Sequence, residues 1–134
     1  MVKIGIVGSR IWTNKDKMSK VVDYCINKYG AEDICIVSGG AKGADSMGRE
    51  LALEKNLPYI EYNPAHTLWN KYSGKPKEWF GKPYNVGQFF ERNTFIAEDS
   101  DILLAFIPPN HQSNGTMDTV GKMRKLNKPC KIIN

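Results

Sequence analysis

The sequence predicts an α/β protein: a Rossmann-like, three-layer α/β/α sandwich around a parallel five-stranded sheet, in the order 3-2-1-4-5. Three observations predict it. Five short apolar runs alternate with four helical patterns along 134 residues, the rhythm of a parallel sheet covered on both faces. Right-handed crossovers reduce the admissible topologies to a few. The loops richest in glycine and hydroxyls follow the first, second and fourth strands, and this order brings all three to one crevice beyond the carboxyl ends of the strands.

The first run, residues 3–7, is a buried strand. Met18, Val21, Val22, Cys25, Ile26 and Tyr29 then recur at steps of three and four, one face of a helix that Gly30 stops. Residues 34–37, Ile-Cys-Ile-Val, are a β-branched second strand. A second helix over 44–56 turns Met47, Leu51 and Ala52 inward. The third strand, 58–62, is weaker and suits a sheet edge. Residues 63–85 interrupt the rhythm with Trp69, Tyr72, Trp79, Phe80 and Tyr84 among Lys71, Lys75, Lys77 and Lys82. So long a connection is uncommon in a compact domain. It is expected to cover a sheet edge or form a subunit interface, with a ligand lid as the alternative. A third helix over 87–98, a fourth strand over 101–106, a loop over 107–115, a fourth helix over 116–126 and a fifth strand over 131–133 complete a single domain, 1–134.

Composition narrows the function classes. Apolar residues make up 41% and charged residues 25%, enough for a folded core. No run of 18 apolar residues suggests a membrane span, and residues 1–5 lack the features of a secretory signal. Cys25, Cys35 and Cys130 are odd in number and match neither a zinc site nor a CxxC pair, so a reducing, cytoplasmic setting is expected. Nineteen basic against fourteen acidic residues leave +5. That suits a phosphate-bearing partner, although scattered lysines are also an ordinary solvated surface.

Three helix-initiating loops carry the chemistry. After the first strand stand Gly8, Ser9 and Arg10: a glycine permits close backbone approach, and an arginine offers a planar fork to an anion. After the second come Ser38, Gly39, Gly40, Ala41, Lys42 and Gly43, ahead of Asp45 in the first helical turn. Free amides there suit a phosphate cradle, although the spacing is not a dinucleotide or P-loop fingerprint. Asp45 can contact a ligand or cap its helix. After the fourth strand, Ser113, Asn114, Gly115 and Thr116 open a helix where a second phosphate or a ribose could bind; Ser113 or Thr116 as a plain cap is the alternative. Arg92 and Asn93, inside the third helix, could reach over the crevice. His66 and His111 lie in loops without metal-ligand partners at useful spacing, so neither a metal nor a cofactor is expected.

These motifs, with Ala97 to Asp101 after Arg92-Asn93, resemble the SLOG superfamily, which joins the DNA-processing protein A domain to the Lonely Guy cytokinin-activating enzymes. The small stand-alone, YspA-like branch is the most similar. The resemblance implies a Rossmann-like fold and a nucleotide or nucleotide-derived ligand, and a place as sensor or processor in bacterial or phage conflict. It implies that Gly8, Ser9 and Arg10 line the base of the pocket. Gly39, Gly40, Lys42, Gly43 and Asp45 would form its second wall. Ser113, Gly115 and Thr116 would hold phosphate or ribose. Lonely Guy enzymes use the glutamate of PGGxGTxxE for N-glycosidic cleavage; the aligned position here is Thr119. Asp118, Glu91 and Glu98 are the substitute carboxylates.

The leading expectation is a nucleotide-binding sensor or sequestering protein, associating as a homodimer or tetramer. An N-glycosidic hydrolase of nucleoside monophosphates and a single-stranded nucleic-acid binder are the alternatives.

Overall fold

The computed structural model describes all 134 residues. Five parallel strands, β1 (Val2–Gly8), β2 (Ile34–Ser38), β3 (Tyr59–Glu61), β4 (Ile102–Phe106) and β5 (Cys130–Ile133), lie in the order β3-β2-β1-β4-β5. The sandwich is the one the alternating pattern predicts. Central β1 is apolar on both sides because it is covered on both sides: Ile4 stands beside Ile36 of β2 and Ile102 of β4.

Four helices make the outer layers: α1 (Lys15–Tyr29), α2 (Ala44–Glu54), α3 (Gly87–Asp99) and α4 (Asn114–Lys125). Alternate strand residues feed the two faces. Ile4, Ile6, Ile34, Ile36 and Phe106 pack with Met18 and Val22 of α1 and Leu51 and Ala52 of α2. Val7, Val37, Leu103 and Ala105 pack with Ile96 and Ala97 of α3 and Val120 and Met123 of α4. The Asn14 side chain accepts from Lys17 N at 3.0 Å and so starts α1. At its end the Gly30 amide donates to Ile26 O at 2.8 Å.

Boundaries shift by a residue or two from the sequence reading. The second helix stops at Glu54 rather than 56, because Asn56 takes a left-handed conformation, φ 56°. β3 has three residues rather than five, and Pro58 brings no N–H to the ladder. α4 starts at Asn114, two residues before the predicted 116, with Ser113 as its cap residue.

The long connection 63–85 closes the outer edge of β3. Glu61 N donates to Tyr72 O at 2.8 Å, and Gly74 N donates to Glu61 O at 3.0 Å. Tyr72 meets the Tyr59 ring edge-on at 5.5 Å, and Trp79 meets Phe95 of α3 in the same way at 5.5 Å. The Glu61 carboxylate is fully buried at the centre of this clasp. It accepts from Tyr59 Oη at 2.7 Å, Asn63 Nδ2 at 2.7 Å and Asn70 Nδ2 at 2.6 Å, with Arg49 Nη1 at 3.6 Å. Covering a sheet edge, the first of the roles anticipated for this segment, is therefore one it performs.

Candidate functional site

Beyond the carboxyl ends of β1 and β4 lies a cleft of about 430 Å³. Ligands of open parallel sheets bind at this switch point. Gly8, Ser9, Arg10 and Ile11 form its base. Two backbone hydrogen bonds tie that base to β4 and to the start of α2: Ser9 N donates to Phe106 O at 2.9 Å, and Ser9 O accepts from Ala44 N at 3.1 Å. Gly43, at φ 78°, lies so close to the Ser9 and Arg10 backbone that a side chain there would collide with it.

The glycine-rich loop is organised around an anion of its own. The Asp45 carboxylate is buried, and the amides of Gly39, Ala41 and Gly8 face it, with Gly39 N at 3.2 Å from Oδ2. Burial pushes the Asp45 pKa up to about 6, against the pull of the Arg92 charge and those amides. Ser38 Oγ, also buried, donates to Asp45 O at 3.2 Å. Of the residues predicted from this loop, Ala41 and Asp45 line the cleft. Gly40 packs on Asn63 and Glu61, Gly43 packs on the first loop, and Lys42 is exposed. The Gly39 amide, one of those the sequence suggests for a phosphate, is thus turned on Asp45.

Arg92 is the cationic pole. It is only 9% exposed although it lines the cleft. Nε donates to Asn93 Oδ1 at 3.0 Å and Nη1 to Gly39 O at 2.8 Å, and Nη2 has no partner in the protein. Burial lowers its pKa; the nearby Asp45 charge opposes that fall, and Arg10 adds to it. Gly39 sits between the two groups: a Cβ there would be 2.7 Å from both Arg92 Nη1 and Asp45 Oδ2.

The opposite wall is the start of α4. Met117 N makes the first helical bond, to Ser113 O at 2.9 Å, which leaves the amides of Asn114, Gly115 and Thr116 without acceptors. Ser113 Oγ and Thr116 Oγ1 bond to each other at 2.6 Å instead of capping them. Asn93 Nδ2 ties α3 to this wall through Gly115 O at 3.3 Å and Asp118 Oδ2 at 3.1 Å.

The cleft therefore joins Gly8, Ser9, Arg10, Ala41, Asp45, Arg92 and Asn93 with Ser113, Asn114, Gly115 and Thr116. The three substitute carboxylates stand elsewhere. Asp118 is held by Asn93 and by Lys122 Nζ at 2.7 Å. Glu91 lines a separate depression behind α3, and Glu98 is exposed. Thr119 does face the cleft, and Asp45 is the one carboxylate that lines it.

Sequence reasoning missed the apolar wall of Val86, Phe89 and Phe90, and missed His111 at the rim. Adjacent phenylalanines on a helix point about 100° apart, so one of the pair must leave the core. Phe90 is 50% exposed and Val86 59%. His66 sits behind them, with Nδ1 at 2.9 Å from Gln88 Oε1 and its ring edge-on to Phe89 at 5.3 Å.

A family model described as DNA recombination-mediator protein A matches residues 1–65. A functionally uncharacterised protein of Acanthamoeba polyphaga mimivirus is 30% identical, with 72% of this chain and 70% of that protein covered. DNA processing protein A (DprA) of Streptococcus pneumoniae superposes with a TM-score of 0.70 at 20% identity, covering 100% of this chain and 50% of its own. The same protein from Helicobacter pylori, whose structure was described for its single-stranded DNA binding mode, gives 0.69 at 22% identity, over 99% of this chain and 65% of that one. The molybdenum cofactor carrier protein of Chlamydomonas reinhardtii gives 0.65 at 19% identity, over 98% and 76%. These structures share the fold. The chain spans half the length of the pneumococcal protein.

Proposed function

Because the chain belongs to the SLOG superfamily of Rossmann-like domains, we propose that its cleft binds a nucleotide or nucleotide-derived small molecule, as a sensor or sequestering protein. The observation that carries this reading is Arg92: a buried guanidinium with a free donor, in a cleft whose far wall is an uncapped helix start. A buried cation of this kind calls for an anion. Unpaired amides at a helix N-terminus supply the complementary half of a phosphate site. Phe89, Phe90 and Val86 offer an apolar surface on which a base can stack.

Mass spectrometry after incubation with a mixed nucleotide panel tests the reading. The expected result is an intact nucleotide recovered from the protein and absent from Arg92→Gln. Free base with ribose phosphate in the filtrate identifies an N-glycosidic hydrolase, for which Asp45 is the carboxylate at hand. A panel that passes unbound and unchanged refutes small-molecule binding.

A second reading is a single-stranded nucleic-acid binder. It is supported by the exposed rings of Trp69 and Tyr84, the lysines of the inserted segment and the charge of +5. Affinity for an oligonucleotide that falls steeply with salt supports it; affinity insensitive to salt excludes it.

A further inference from the structure

A second cavity of about 750 Å³ lies far from the cleft, between α1 and β5. Its origin is topological. Right-handed crossovers put α1 and α2 on one face of the sheet, over β1 to β3, and put α3 and α4 on the other. On the α1 face, α1 and α2 bury Phe106 and Leu104 of β4, while Ile102 and Ile133, at the flank of α1, are only partly covered. Ile102, Leu104 and Ile133 form the floor of the groove.

The wall is a stripe of α1 at steps of four, three and four: Lys17, Val21, Tyr24 and Lys28. The centre of the stripe is apolar and its two ends are basic. Tyr24 is 64% exposed and Val21 beside it is only partly buried, so the middle of the stripe presents apolar surface to solvent. Lys131 adds a third cation on the strand side, and no acidic side chain lines the groove. None of the three lysines has a carboxylate side chain within ion-pair distance: Lys17 Nζ bonds to Asn134 O, and Lys28 Nζ lies 5.3 Å over the Tyr29 ring.

We infer that this groove seats an amphipathic helix of a partner protein, apolar along its middle and acidic at its ends. An amphipathic helix fits the groove because the apolar stripe of α1, with a lysine at each end, runs along it for about three turns. The three lysines supply the complementary charge and set the preference for acidic ends. This site is independent of the nucleotide cleft.

The test uses two peptides about four turns long with the same leucine stripe. One carries glutamates at both ends, the other lysines. Fluorescence anisotropy of the labelled peptides is read against the whole protein. The glutamate peptide is expected to bind about tenfold tighter than its twin. The exposed double variant Lys17→Glu/Lys28→Glu should invert that preference. Isotope-edited spectra should show shifts at Val21, Tyr24, Ile102 and Ile133 and none at Arg92. Thermal melts monitor the fold of each variant. Equal affinity for the twins, failure of both to bind, or no inversion in the double variant overturns the inference. So does a self-associated species in sedimentation that Tyr24→Asp dissolves, since a second copy would then cover the groove.

Discussion

Arg92 and Asp45 address opposite ends of the same glycine. The guanidinium donates to Gly39 O at 2.8 Å, and the Gly39 amide donates to Asp45 Oδ2 at 3.2 Å. Neither charge is neutralised by direct contact, so Arg92 keeps a donor for the cleft while Asp45 holds the loop that orients it. The arrangement makes one backbone unit the spacer between a cation and an anion.

Arg92→Lys keeps the charge and loses the planar fork. The lysine can reach Gly39 O or the ligand, but not both. Nucleotide affinity is expected to fall about 10- to 100-fold, the worth of one charge-assisted bond. Calorimetric titration of wild type and variant measures it, and unchanged affinity would remove Arg92 from the site.

Asp45 links stability to pH. Its pKa is raised from 3.8 to about 6 in the folded protein. Its stabilising contribution is therefore fully present below about 3.8 and is lost as pH rises through about 6, a change of about 3 kcal/mol across that window. Asp45→Asn should flatten this part of the profile. Urea midpoints taken at intervals between the two values read the difference.

Gly39→Ala places a methyl 2.7 Å from both Arg92 Nη1 and Asp45 Oδ2, and 3.2 Å from Arg92 Cδ. These are buried, hydrogen-bonded atoms that cannot swing aside freely. The substitution should cost about 1–3 kcal/mol and weaken ligand binding together with stability. Chemical denaturation paired with the same titration reports both. A variant as stable and as tight as wild type would show that the spacer is dispensable.

Glu61→Ala removes the carboxylate that gathers Tyr59, Asn63 and Asn70. One buried donor, Tyr59 Oη, and two part-buried ones, Asn63 Nδ2 and Asn70 Nδ2, then lose their acceptor, at a cost of about 3 kcal/mol. The segment 63–85 should come off the β3 edge before the sheet melts. Limited proteolysis is expected to cut within 63–85 in the variant and to spare it in the wild type.

The fold was legible because it depends on pattern. Short continuous apolar runs alternating with period-3.6 helical faces sufficed to place the central strands and the strand order. The site was legible by region and not by side chain. Asp45 reads equally as cap or ligand contact, since nothing local shows that three amides converge on it; that depends on how β1 and β2 lie side by side. Lys42 looks like a phosphate contact in sequence, yet the turn that buries Asp45 sends it outward. Phe90 resembles a core residue because hydrophobicity is blind to which side of α3 faces the sheet. Glu91 and Glu98 were candidates by type alone, and the helical phase carries both away from the cleft.

Parallel pairing also orders the birth of this molecule on the ribosome. Gly5 of β1 lies beside Leu103 of β4, 98 positions later by simple subtraction, and Ala105 lies beside Ile132 of β5. The strand made first is flanked on one side by a strand made nearly last. A nascent chain that has emerged only as far as residue 65 holds the base of the cleft, with Ser9 and Asp45, but neither Arg92 nor the start of α4. Such distant pairings are slow to form. A cleft that needs Arg92 and the start of α4 is therefore completed only late in synthesis, after its base has been made.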